Sequence, residues 1–347
     1  MALKPPVEVP QGAIRLNTDS QKLEFFAQDQ WWQMATDTPV LDGGARGFWA
    51  GAGLYNPSGS SWSASNVINM VTIPTAGNAT DFGDLTQSQR EIGGSAASRT
   101  RAIRAGGGEP TNTDTIDYWT MAQQGNAVDF GNLTSAFMGF GASVAGSQTR
   151  GIFAFDYTAP GRSNTDTIEY VTIASTGNAV DFGNTTTARH AHQSSSSPTR
   201  TLVWGGMNPS RLTRIDYITT ASTGNAEDFG DLMLAQSRGG VTGNSTRGIY
   251  GGGEGPSGVT TKAQSVQYAT LGNAVEFGSV LAKNVEYASA CSSPIRALWG
   301  GGSGWSPSPN NVITYRTIAT SGSGVDFGDL TNAGQSRAAM SNAHGGL

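Results

Sequence analysis

The sequence predicts an all-β protein, a six-bladed β-propeller preceded by a small β-hairpin, and three observations predict it. The tripeptide Asp/Glu-Phe-Gly recurs six times, beginning at Asp81, Asp129, Asp181, Asp228, Glu276 and Asp326, at spacings of 48, 52, 47, 48 and 50 residues. Each copy follows an alternating β-branched and aromatic run of period two, the mark of a strand. Glycine is abundant, 48 of 347 residues, while charged residues make up only 14%, so the chain is rich in turns and poor in solvated helix. Short antiparallel strands repeated every ~50 residues bury both faces only by stacking on neighbours, and radially for this period.

Each repeat reads as four strands. Four residues before each acidic residue stands a glycine (Gly77, Gly125, Gly177, Gly224, Gly272, Gly322), followed by Asn in five copies and by Ser323 in the sixth, a turn that enters the Phe-Gly strand. Upstream lie the alternating strands, for example Thr115-Ile116-Asp117-Tyr118 and Thr167-Ile168-Glu169-Tyr170. Before these comes an arginine with a short apolar run, at Arg46, Arg101, Arg150, Arg200, Arg247 and Arg296. Five of these runs lead into glycines; the third reads Phe155-Asp156 instead. A small-residue stretch ahead of each arginine supplies the fourth strand. The first repeat lacks it, and Ser336 to His344 at the other end supply it, so the expected propeller spans 44–347 and closes through its C-terminal strand. The acidic residue of each tripeptide is expected to bond turn amides or the recurring arginine.

Residues 1–43 carry a hairpin pattern around Asn17-Thr18-Asp19-Ser20, extended by Trp31-Trp32. So small a hairpin needs a surface to cover with Ile14, Leu23, Phe25, Trp31 and Trp32, which are the expected docking residues. The string from Gly12 to Phe25, followed by Gln30-Trp31-Trp32, resembles the short N-terminal module of bacteriophage tail-fibre and other virion proteins. The glycine doublets, aromatic strand and period of residues 44–347 resemble kelch repeats, with phenylalanine where that family carries tryptophan. The combination is similar to phage structural proteins. It implies a virion component, made in the host cytoplasm, whose partners are other tail or capsid proteins.

Several functions are excluded or disfavoured. A net charge of −5, with four lysines beside seventeen arginines, offers no basic field for nucleic acid. No run approaches the ~20 apolar residues of a membrane span, and the start lacks the apolar core of a secretory signal. Asp-Phe-Gly also occurs in kinases, but six copies without a glycine-rich loop or His-Arg-Asp loop read as scaffold. His190, His192 and His344 make a poor metal set without a carboxylate or thiolate partner, Cys291 has no basic neighbour, and no nucleophile with base and orienter is nominated. No cofactor, metal or catalytic residue is therefore expected. The expected function is non-enzymatic, a tail appendage or capsid decoration. The alternative is a host-receptor or glycan-binding propeller using Tyr55, Trp62, Tyr157 and Trp305 in the loops after the glycine doublets; a propeller hydrolase or lyase has only the fold to support it.

Overall fold

A computed structural model describes residues 9–17, 22–33, 45–56, 58, 61–108, 110–140, 142–158, 161–279, 285–304 and 308–347. The chain divides into two compact units, Met1–Gly43 and Gly44–Leu347. Both are built chiefly of antiparallel sheet, and no helix occurs among the described residues.

The first unit is a three-stranded sheet of Ile14–Asn17, Lys22–Ala27 and Gln30–Gln33. The expected hairpin thus gains a third strand, reversed through Gln28 and Asp29, both with positive φ. The turn residues Thr18 to Gln21 lie outside the described residues.

In the second unit each repeat contributes one sheet. Repeat two is the plainest: Gly94–Ala97, Arg101–Gly107, Thr113–Thr120 and Val128–Asn132 pair in sequence order. Repeats four, five and six follow the same order, with arginine strands Arg200–Trp204, Arg247–Gly251 and Arg296–Gly300. In the first repeat Ala338–Ser341 pairs antiparallel with Arg46–Asn56, so the two ends of this unit share one sheet. Repeat three departs from the pattern. Its small-residue strand, Ala142–Ser143, runs parallel to Ala338–Ser341, and the Ser143 hydroxyl accepts the N–H groups of Val241 and Ala290, each at 3.4 Å, so it meets repeats one, five and six.

The recurring residues act between repeats. Each Phe-Gly glycine has positive φ, 142–152° at five copies and 95° at Gly278, and the ladder slips register there by one residue. That bulge turns the phenylalanines Phe82, Phe130, Phe182, Phe229, Phe277 and Phe327 inward, all 2–3% exposed. It also lets the next repeat's turn glycine come so close that a Cβ on Gly131 would overlap the Gly177 carbonyl. The turn glycine donates its N–H to the Phe carbonyl: Gly125 to Phe82, Gly177 to Phe130, Gly224 to Phe182, Gly272 to Phe229, and Gly77 of repeat one to Phe327 of repeat six. The asparagine beside it accepts the N–H two residues after that phenylalanine, at 3.0–3.1 Å in five copies. Where Ser323 replaces asparagine, the Arg316 guanidinium donates instead to the carbonyls of Ser279 and Gly322.

The recurring arginine likewise reaches forward. Arg46 donates to Ala122 O (2.8 Å), Arg101 to Ala174 O (2.9 Å), Arg150 to Thr220 O (3.3 Å), Arg200 to Tyr268 O (2.7 Å), Arg247 to Ile318 O (2.8 Å) and Arg296 to Pro74 O (2.7 Å), the last running from repeat six to repeat one. Four of these guanidiniums also lie over the tyrosine of their own alternating strand, 4.8–5.1 Å from the ring centre. The arginine therefore ties turn carbonyls of the following repeat; of the tripeptide acids, Asp81 accepts its own turn's Gly83 N–H. Six buried apolar clusters fill the spaces between successive repeats, among them Phe48, Phe82 and Trp119 between one and two, and Trp49, Leu298 and Phe327 between six and one.

Because Gly131 combines positive φ with backbone contact while Gly125 has open space around its Cβ position, the two glycines should respond differently to alanine. Gly131→Ala is expected to lose about 2–4 kcal/mol in urea denaturation, and Gly125→Ala to stay within about 0.5 kcal/mol of the parent.

Candidate functional site

One end of the second unit is organised around the corners that lead into the small-residue strands. Equivalent corner residues Glu91, Ala191, Arg238, Tyr287 and Ser336 have φ of 55–60°. Left-handed backbone costs a non-glycine residue about 1–2 kcal/mol, and for bulky Arg and Tyr it marks a position held by its surroundings. Those surroundings are the neighbouring corners: Arg238 N–H donates to Ala191 O, Tyr287 N–H to Arg238 O and Ser336 N–H to Tyr287 O. The side chains of Arg238 and Tyr287 are thereby set beside each other.

Two further rings here, Phe140 and Tyr157, come from repeat three, where Phe155-Asp156 replaces the glycine doublet, and His190 comes from repeat four. Phe155 stacks on Phe137 at 4.2 Å. The buried Asp156 carboxylate accepts the Phe140 N–H at 3.0 Å and is also bonded by the backbone of Ala191 and His192. Phe137–Met138, Tyr157–Thr158 and Ser163–Asn164 form an extra small sheet that carries Phe140 and Tyr157 to the corner. Phe140 lies 5.4 Å from Tyr287 and 5.8 Å from Tyr157, which stacks on His190 at 4.7 Å. The Arg238 guanidinium sits 5.1 Å from the Tyr287 ring centre and 5.8 Å from that of Phe140.

Charge in this corner is balanced. Arg238 pairs with Glu254 at 2.7 Å and with Glu286 at 3.5 Å, Arg211 also pairs with Glu254, and Arg162 pairs with Glu91 at 2.6 Å. The side chains of Arg238, Glu254, Glu286 and Arg211 remain 18–26% exposed. Burial pushes the Tyr157 hydroxyl up to about 12, raises Glu286 and lowers His190, whose Nδ1 lies 2.9 Å from Asn164 Oδ1.

The sequence-nominated residues distribute unevenly. Tyr157 belongs to this corner. Tyr55 and Trp62 pair across the first repeat's long hairpin, rings 5.2 Å apart, with Arg90 5.9 Å from the Trp62 ring and Trp62 38% exposed. Trp305 lies outside the described residues. Phe140, His190, Arg238 and Tyr287 were not nominated as binding residues; their one signal is that they occupy the variable connection between the Phe-Gly strand and the small-residue strand. The three histidines have separate partners: His190 as above, His192 Nε2 on Phe155 O at 3.0 Å, and His344 Nε2 on Ala97 O at 2.9 Å. Cys291 is fully buried, which pushes its thiol up.

In the N-terminal sheet the register puts Ile14, Leu16, Leu23, Phe25 and Trp32 on one face. Ile14, Leu16, Leu23 and Trp32 are 63%, 61%, 41% and 47% exposed. Trp31 falls on the opposite face, where Arg15 lies 4.1 Å from its ring and pairs with Glu24 at 2.9 Å, so it packs within the sheet apart from the other nominated docking residues.

No protein-family model matches the chain, and no curated protein matches it.

The buried Asp156 and His192, 3.3 Å apart, give opposing pH effects. Burial raises Asp156 to about 7 and lowers His192 to about 3. Asp156 therefore contributes stability at low pH that is lost as pH rises through about 7; His192 contributes stability above about 6.5 that is lost as pH falls toward about 3. Asp156→Asn removes the first effect, so its stability relative to the parent should improve between pH 4 and pH 7 by at most about 1.4 kcal/mol per unit, read from urea denaturation across that range.

Proposed function

We propose that the protein is a non-enzymatic bacteriophage virion component, a tail appendage or capsid decoration that docks through its N-terminal sheet and displays a closed six-bladed, kelch-like β-propeller. The observation that carries this reading is the apolar face on which Ile14, Leu16, Leu23 and Trp32 stand exposed beside the partly buried Phe25, on a small three-stranded sheet. Its other face is already satisfied by Arg15, Glu24 and Trp31, which directs a partner to the apolar side. The propeller reading is supported by the arginine links, which run from each repeat to the next and from repeat six to repeat one, and by the turn-glycine and asparagine links, which do so at five of the six junctions, with Arg316 serving the junction of repeats five and six. A phage origin rests on the resemblance of the N-terminal string and the repeats.

A second reading, a receptor or glycan binder, is favoured by Trp62, which stands 38% exposed against Tyr55. The two readings are compatible in one molecule.

Immunogold labelling and cryo-EM of phage particles test the first. The chain is expected on the particle, with its second unit resolved as a six-bladed disc; particles without it overturn the reading. Leu16→Lys with Trp32→Lys should abolish incorporation while leaving the melting of the second unit unchanged, and full incorporation of that variant would move the docking role elsewhere. Deleting residues from Ser336 onward should lower the melting temperature sharply, because it leaves one edge of Arg46–Asn56 unpaired and removes the strand that joins the two ends of the second unit in one sheet.

A further inference from the structure

We propose that the corner formed by Phe140, Tyr157, His190, Arg238 and Tyr287 is a binding site for a neutral saccharide. The inference rests on the receptor-binding reading and names its site and ligand class.

Four features of the corner point this way. Residues from repeats two to six converge here on side chains that the repeat pattern does not require, and two of them, Arg238 and Tyr287, occupy left-handed backbone that a glycine would adopt without strain. The rings are half-buried, and they come from the connections and the extra small sheet rather than from the inter-repeat clusters that bury the phenylalanines and tryptophans elsewhere. Aromatic faces suit the apolar C–H face of a pyranose, giving contact area at low entropic cost. Finally, Arg162, Arg211 and Arg238 are matched by Glu91, Glu254 and Glu286, so the corner offers paired guanidinium donors and carboxylate acceptors with no surplus charge. Vicinal hydroxyls satisfy such pairs, each accepting from one partner and donating to the other. An anionic ligand would meet carboxylates that already hold the guanidiniums, and a cation would meet guanidiniums held by the carboxylates. A neutral polyol avoids both penalties.

The geometry also explains why this corner is built on repeat three. A glycine doublet at 155–156, as in repeats two, four, five and six, would lack the carboxylate that fixes the Phe140 amide. Phe140 would then have no reason to lie against Tyr287 and Arg238.

The test applies the full-length chain to an array of neutral hexose and hexosamine oligosaccharides beside sialylated, uronic and sulfated ones, and then titrates the best neutral binder by calorimetry. Binding to neutral saccharides is expected, weakened at least 10-fold in Phe140→Ala and in Tyr287→Ala with melting temperatures unchanged. Should those variants melt early, Glu286→Gln decides: it preserves shape, removes one acceptor charge, and is expected to weaken the same saccharide about 5-fold or more. Neutral binding unchanged in Glu286→Gln and in the ring variants overturns the site. Binding of acidic saccharides alone, lost in Trp62→Ala, overturns the corner and leaves receptor binding at Tyr55 and Trp62. A chain that retains no saccharide overturns both readings of sugar recognition.

Discussion

The second unit depends on one backbone contact repeated between neighbours, the seat of a turn glycine on the preceding Phe-Gly bulge. A positive φ at the bulge glycine turns the strand, buries the phenylalanine and leaves a gap that only the next repeat's backbone fills. In five copies the turn then donates through its glycine N–H and accepts through the neighbouring asparagine side chain, so the joint satisfies polar groups on both sides. The arginine adds a charge-assisted bond to the same turn region from the opposite strand. A carboxylate or amide of the alternating strand adds another: Asp216 accepts the Thr186 hydroxyl at 2.7 Å, and Asn69 of repeat one accepts that of Thr331 at 2.7 Å. A repeat of short strands cannot bury its faces alone, and each of these devices acts on the neighbour rather than within the sheet, so stability accrues at the joints.

How much of this was legible in the sequence follows from that arrangement. The strand order was readable because period two and turn glycines are local signals, and the sharing of one sheet by Ala338–Ser341 and Arg46–Asn56 followed from counting strands per repeat. The arginine's partner was not readable. Arg101 bonds Ile173 and Ala174, more than 70 residues away, and a backbone carbonyl carries no residue identity, so the sequence could suggest only the nearby acid. Asparagine's role was hidden similarly, since its acceptor oxygen serves the preceding repeat. In the N-terminal sheet, strict alternation around the hairpin separated the faces correctly for Ile14, Leu23 and Phe25, whereas neighbouring Trp31 and Trp32 must face opposite ways and were nominated together.

The candidate site was legible only as an irregularity. The sequence marks repeat three as the one whose arginine run leads into no glycine, and that substitution is where the chain adds a small sheet, buries a carboxylate and brings Phe140 and Tyr157 to the corner. Elsewhere the doublet allows close backbone approach; Gly106 and Gly205, for example, have positive φ and lie against carbonyls of the following connection. Repeat three also lacks a regular small-residue strand, and Ala142–Ser143 pairs instead with Ala338–Ser341. Positions where a repeat breaks its own rule at a structural cost are where function is to be sought.

The N-terminal sheet poses the complementary problem, too few residues rather than too many repeats. Its polar face is self-sufficient, since Arg15 both pairs with Glu24 and covers Trp31, and Asn17 donates to Glu24 at 2.8 Å, drawing the Glu24 carboxyl below its ordinary range. Its apolar face has no such closure among the described residues, and three strands with one exposed apolar face have little hydrophobic burial to set against the entropy of ordering them. Whatever covers Ile14, Leu16, Leu23 and Trp32 therefore binds the ordered sheet in preference to the disordered segment, and by linkage stabilises it in proportion to its affinity. On the proposed docking role, docking and folding of this unit are one equilibrium: substitutions on the apolar face would weaken partner binding directly, while substitutions at Arg15 or Glu24 would weaken it through the sheet.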